Sequence, residues 1–385
     1  MRVLFAVSPG LDHVYPTTGL AWALRVAGHE VVYATTGVSV DAAVNAGLPV
    51  RDVSPGADFS GIFPRSGSRE TRARAMRERG LRMAETLQTP EVILEKFAQV
   101  TDPMAEGTLR FAESWRPDLI VYSRLQGAGL LAARALGVPL VEHGFSFLRE
   151  GAMPGRFLPH LAPIFERFGV PVELPSVTSL YFAPAHMMHG EGEGWTMRFV
   201  PFHGGGVLPD WLAEPRRRPR VVVTLGTTVP HVAGPGSLGT VLAAARGVDA
   251  EIVLALGSDP DLTSLGALGD NVRVVGWTPL STLLGFSDAI IHHGGAGTTL
   301  ASAHAGVPQL AMPHGADNWI NGAMVERCGM GLNLDAEQVD TGVLQSLLHD
   351  EALRKGAEAT ARELAAGPGP DEIVARLATL AGRAG

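Results

Sequence analysis

A chain of 385 residues with 46% apolar and 18% charged side chains carries enough hydrophobic material for two cores, which excludes intrinsic disorder. Its net charge of −8 leaves no basic surplus for a nucleic-acid partner. One cysteine, Cys328, excludes an internal disulfide, and no uninterrupted apolar run of about 18 residues is present to span a membrane.

The opening residues MRVLFAVSPG reach proline and glycine too soon for a secretory leader, so a soluble, cytoplasmic protein is expected. Residues 2–7 predict a strand. Pro16 suits the first turn of a helix whose Leu20, Ala23, Leu24 and Ala27 share one face, and Gly28 ends it. A strand returns at 30–34. The same unit recurs at 119–123, 127–136 and 139–143, with Gly137 as the helix stop. Between these units, residues 54–110 mix arginines (Arg65, Arg69, Arg72, Arg74) with Met76 and Met83, and residues 144–175 add Phe145, Phe147, Phe157, Phe165 and Phe168. His186 and His189 have a spacing seen in metal sites, yet no third ligand is near in sequence.

Three glycines, Gly204 to Gly206, open a stretch of prolines and arginines that reads as a linker, with Arg216 to Arg218 solvated. The pattern then restarts, with strands at 220–225, 251–256, 272–276 and 289–291. Strands alternating with helices imply parallel sheets covered on both faces, and two such series imply two domains. The expected bounds are 1–203, a linker at 204–219, 220–366, and a terminal helix within 367–385. That helix carries Ile373, Val374, Leu377 and Leu380 on one side. Asp259-Pro260-Asp261 reads as a proline turn rather than a metal pair.

The richest stretch is 289–319. A buried strand runs into Gly294, Gly295 and Gly297, and Thr298 and Thr299 open a helix. Its first amides lack helical partners, and with the helix dipole they favour a phosphate. His293 at the lip of the turn adds a hydrogen bond to the same anion. His292 beside it points to the opposite face, so the two cannot easily chelate one ion. Thr227, after the strand at 220–225, can reach a distal phosphate, although a helix cap would need the same geometry. Trp277 follows the strand at 272–276, where an aromatic is usually core. The first turn, SPGLDH, lacks the G-x-G-x-x-G spacing of a dehydrogenase.

His293-Gly294-Gly295-Ala296-Gly297-Thr298, Gly306-Val307-Pro308-Gln309, Pro313 and Asp317-Asn318 together resemble the donor signature of family 1 glycosyltransferases. With the opening loop, GWTMRFVP at 194–201, VLALG and VGWTPL, nearly the whole chain resembles actinomycete natural-product glycosyltransferases, including calicheamicin-pathway enzymes. The resemblance implies an α/β, GT-B fold, with two Rossmann-like domains whose parallel sheets face an interdomain cleft. The first domain would bind the acceptor, and the terminal helix would pack back onto it. The donor set would be Thr227, Trp277 stacked on a base, Thr278 beside the base edge, His293, Gly295, Gly297, Thr298, and Asp317 with Asn318 on the sugar. His13 would be the catalytic base of an inverting displacement. No metal and no further cofactor is implied.

Four departures from the family pattern bear on chemistry. Ala301 stands where users of UDP-sugars carry a ribose-binding glutamate, which favours a TDP-deoxysugar co-substrate. Asn318 replaces a glutamine, leaving the sugar open. Asp12 replaces a glycine beside His13. Ser123 replaces the aspartate that orients the histidine, with Glu142 or Asp317 as substitutes. The acceptor would be a small hydrophobic aglycone, joined through oxygen or carbon, under a roof drawn from the Met- and Phe-bearing stretches. Core helices explain those stretches nearly as well. A homodimer is left open, as are a 2-epimerase of the same fold and a silent glycosyltransferase-like activator.

Overall fold

The computed structural model describes residues 1–62, 68–226, 236–257 and 262–382. Thr227 and Asp259-Pro260-Asp261 lie outside them. The chain divides into two compact units: Met1–Pro64, Leu87–Gly204 and Gly367–Gly385 form one, Arg65–Thr86 and Gly205–Ala366 the other.

The first unit is built on strands β1 (Arg2–Ala6), β2 (Glu30–Thr35), β3 (Val50–Asp52), β4 (Leu119–Ser123), β5 (Leu140–His143), β7 (Val177–Tyr181) and β9 (Trp195–Thr196). They run in the order β3-β2-β1-β4-β5-β7-β9, and every pairing is parallel. A parallel sheet needs cover on both faces, and β1 and β4 are buried almost throughout. Strands β6 (Leu148–Glu150) and β8 (His189–Glu191) pair separately as a small parallel ribbon.

After the one-turn helix α1 (Leu11–Val14), helix α2 (Thr18–Val26) buries Leu20, Ala21 and Leu24, and α3 (Val38–Asn45) follows β2. The expected face is therefore shifted: Ala21 is inside and Ala27, already the cap residue, is exposed. The terminal helix Pro370–Gly382 buries Ile373, Val374 and Leu377 and packs against α2, which places it in the first unit. Arg198 N–H donates to the Pro368 carbonyl (2.7 Å), and the Arg376 guanidinium lies 5.9 Å from the Trp195 ring centre.

Of the phenylalanines expected as a roof, Phe157 and Phe165 are fully buried core. Helix α4 (Arg69–Thr86) departs further from expectation. It groups with the second unit although the bound 1–203 would keep it in the first, and Met76 packs on the second unit's core. An arginine-rich sequence shows no strong apolar face of its own, so its docking partner was invisible until the fold supplied one.

The second unit orders β10 (Arg220–Thr224), β11 (Glu251–Ala255), β12 (Val272–Val275), β13 (Ala289–His292), β14 (Gln309–Ala311) and β15 (Gly331–Asn333) as β12-β11-β10-β13-β14-β15, all parallel. In both sheets the order in which the chain adds strands reverses beside the first strand, between β1 and β4 and between β10 and β13. In open α/β sheets the crevice beyond the carboxyl ends at such a reversal is where ligands bind.

The expected linker is partly structured. Residues Asp210–Ala213 form a helical turn, and Trp211 is flanked by the guanidinium groups of Arg220 (4.8 Å) and Arg273 (4.7 Å). Arg216 pairs with Asp288 and Arg218 with Asp249 (3.1 Å), so two arginines of the run hold acids rather than only water. Among the described residues no helix is long and apolar enough to cross a membrane, and no cluster of three His, Cys, Asp or Glu side chains is placed around one point.

Candidate active site

In the second unit, β13 delivers His292 and His293 to opposite sides of its end. His292 is buried: its Nδ1 accepts the Gly294 N–H (3.0 Å), and its Nε2 meets Gln309 Oε1 (2.9 Å). Those two bonds fix the tautomer, with the proton on Nε2. Burial lowers its pKa to about 4, so it stays neutral and props the glycine turn. Its partner Gln309 belongs to the signature, and this buried pair explains that residue without any ligand.

His293 turns the other way. A Cβ on Gly226 would come within 2.6 Å of its ring, and a Cβ on Gly295 would collide with its Nε2. Gly295 thus makes room for an imidazole. Burial, and then repulsion from His292 and His314, lowers the His293 pKa to about 3, and its buried Nδ1 has no hydrogen-bond partner among the described residues. A neutral ring with one unsatisfied nitrogen is ready to accept a partner.

The helix Ala296–Ala305 begins at once, two residues before Thr298. Gly295 caps it with no side-chain hydrogen bond, and its first internal bond runs from Thr299 N–H to the Gly295 carbonyl (2.9 Å). The amides of Ala296, Gly297 and Thr298 therefore have no acceptor in the helix. Among the described residues, no atom approaches the position of a Gly297 Cβ within 4 Å. Ala301 is buried and offers no acceptor for a sugar hydroxyl.

Asp317 stands at the N-cap position of the helix Asn318–Arg327, with no side-chain capping hydrogen bond. Asn318 is buried, and its Nδ2 donates to the His293 carbonyl (2.7 Å), while Asn321 Nδ2 donates to the Gly294 carbonyl (2.8 Å). Asn318 thus clamps the turn from behind, while Asp317 stays half-buried in front of the helix. Trp277, two residues beyond β12, is 43% exposed and so is not core; Thr278 beside it donates to the Gly276 carbonyl (3.3 Å). Of the residues foreseen here, only Thr227 falls outside the described set. His292, Gln309 and Asn321 were missed as turn supports, and the 17-residue spacing from His292 to Gln309 gave no signal before the strands were paired.

In the first unit, His13 sits on α1 just beyond β1. It is buried, its ring lies 4.9 Å edge-on from Phe145 and 5.7 Å from Phe97, and its Nδ1 has no hydrogen-bond partner among the described residues. Burial lowers its pKa and the charge of Asp12 pulls the other way, leaving a neutral base. Ser123, at the end of β4, accepts the Ser8 N–H (3.1 Å), and Ser39 Oγ accepts that of Gly10 (2.7 Å). These hydroxyls pin the loop that carries His13. Glu142 is not the substitute partner: it is buried and accepts the Tyr122 hydroxyl (2.9 Å), with its pKa raised by burial.

The chain as a whole matches known proteins. Residues 22–226 and 239–380 match the N- and C-terminal domain models of erythromycin biosynthesis protein CIII-like proteins. The chain belongs to this family of GT-B glycosyltransferases, and it is a nucleotide-sugar-dependent enzyme. The elloramycin glycosyltransferase of Streptomyces olivaceus is 39% identical over 99% of this chain and 98% of its own. The crystal structure of the glycosyltransferase SnogD from Streptomyces nogalater superposes with a TM-score of 0.86 at 38% identity, over 99% of both chains. That of SsfS6 from Streptomyces sp. SF2575, complexed with thymidine diphosphate, does so with a TM-score of 0.77 at 27% identity, over 98% of this chain and 99% of its own.

Proposed function

We propose that this enzyme transfers a deoxysugar from a TDP-sugar to a small hydrophobic aglycone, with inversion, in antibiotic biosynthesis. The carrying observation is the uncapped start of the helix Ala296–Ala305 beside the unpartnered Nδ1 of His293. Three amides without helical acceptors and a neutral imidazole suit a diphosphate, and they suit a departing one best. Negative charge grows on that leaving group as the glycosidic bond breaks. The half-exposed Trp277 supplies a stacking face for the base, and Ala301, apolar where a carboxylate would serve a ribose, supports thymidine over uridine. A thymidine diphosphate complex of a relative supports the same choice.

His13 takes the proton from the acceptor hydroxyl as that oxygen attacks the anomeric carbon, in an oxocarbenium-like transition state. Phe97 and Phe145 around its ring favour an apolar, flat acceptor. Asp317 meets the sugar hydroxyls. A thermal-shift panel of TDP, UDP, ADP and NAD tests the donor: TDP should raise the melting temperature most, and stabilisation by NAD alone would refute the assignment.

A further inference from the structure

Helix α4 is the feature that this reading leaves unused. It reaches the loop that carries Asp317. A Cβ on Gly315 would collide with Met76, and one on Gly80 would collide with the Trp319 ring and lie 3.1 Å from the Ala316 carbonyl. Between these two interlocks, Arg77 forks onto Asp335 (2.8 and 2.9 Å), and its guanidinium lies 5.4 Å from the Trp319 ring centre. On its other side the loop is held by His314, whose Nδ1 meets the Met312 carbonyl (2.6 Å) and whose Nε2 meets Ser237 Oγ (3.2 Å).

The Arg77–Asp335 pair is 46% and 38% exposed at its side chains, so it contributes little to global stability. Its geometry is nonetheless specific. A bidentate fork that also stacks on an aromatic ring fixes orientation in a way that a lysine cannot. The loop it fixes leads directly into Asn318, which clamps His293, and Ala316 within it adopts a left-handed φ of 48°. A strained loop needs outside contacts to hold it.

We infer that α4 is a clasp for the sugar end of the donor site. Met76, Arg77 and Gly80 act as positioning residues that hold residues 314–319 so that Asp317 meets the sugar. This rests on the reading that Asp317 faces the donor sugar. The alternative is plain packing of α4 on the core through Met76.

Two measurements on the full chain separate these. In Arg77→Ala, amide exchange over 314–319 should quicken at least tenfold with β10 to β15 unchanged. By calorimetry, Kd for TDP should stay within twofold, while the gain in affinity of TDP-glucose over TDP should fall at least fivefold. Arg77→Lys should lie between, and Asp335→Asn repeats the comparison should Arg77→Ala fold poorly. Unchanged exchange in the loop, or equal losses for TDP and TDP-glucose, would overturn the clasp. Exchange needs no donor, so it decides the matter even if the wild-type chain binds no TDP, a result that would sink the donor reading instead.

Discussion

Each unit places a histidine beyond the inner strand at the reversal of its sheet, and the two histidines are walled differently. His293 is enclosed by Gly226 and Gly295, with bare amides beside it; His13 is enclosed by Phe97 and Phe145, over a loop pinned by Ser39 and Ser123. Topology supplies the location in both, and the wall sets the chemistry. On the proposed function, backbone amides would favour charge on a leaving diphosphate, and aromatic edges would keep a base neutral by desolvation.

The strongest way to break this comparison is His13→Ala. Turnover should fall by about 10²–10⁴, the usual contribution of a general base, while TDP still shifts the melting temperature as in wild type. Unchanged turnover would remove His13 from the chemistry. Acid comes next. His292 in the second unit and His143 in the first are each buried with a pKa near 4, below the ordinary 6.5. Such rings favour the folded state fully above pH 6.5, and that stability is lost as the pH falls toward 4, on the order of 3 kcal/mol each. Urea midpoints measured from pH 7 to 4 should drop accordingly, and a flat profile would contradict the buried neutral rings.

Gly297→Ala sharpens the amide side. The added methyl meets no atom of the described residues within 4 Å, so stability should hold or rise by about 0.5 kcal/mol, yet TDP affinity should fall about tenfold because the methyl enters the space proposed for the diphosphate. Affinity unchanged by calorimetry would move the ligand elsewhere. The smallest effect belongs to Asp12→Asn. Asp12 raises the His13 pKa, so its removal should shift the acid limb of the kcat/KM profile to lower pH, and a shift upward would contradict that charge effect.

Much of this arrangement was legible in the sequence, for local reasons. The glycine turn, the helix after it and the strands around it are short-range patterns, and periodicity with glycine placement is enough to read them. His13 was legible only through its resemblance to a family loop. What sequence could not show were contacts between residues far apart in the chain: His292 with Gln309, Asn318 with the His293 carbonyl, Ser123 with Ser8. Asn318 is instructive. Its amide was expected to face a sugar; in the structure its Nδ2 secures the backbone of the glycine turn at His293. Helix α4 failed for a related reason, since its burial depends on glycines at 80 and 315 that no window of sequence brings together.

The excursion of the chain between residues 65 and 86 has a bearing on hybrid enzymes. Joining one parent's amino-terminal half to another's carboxyl-terminal half at residues 204–219 would divorce α4 from its native lock at Asp335 and Trp319. Recombination that transplants residues 65–86 together with 205–366 keeps that fit within a single inheritance.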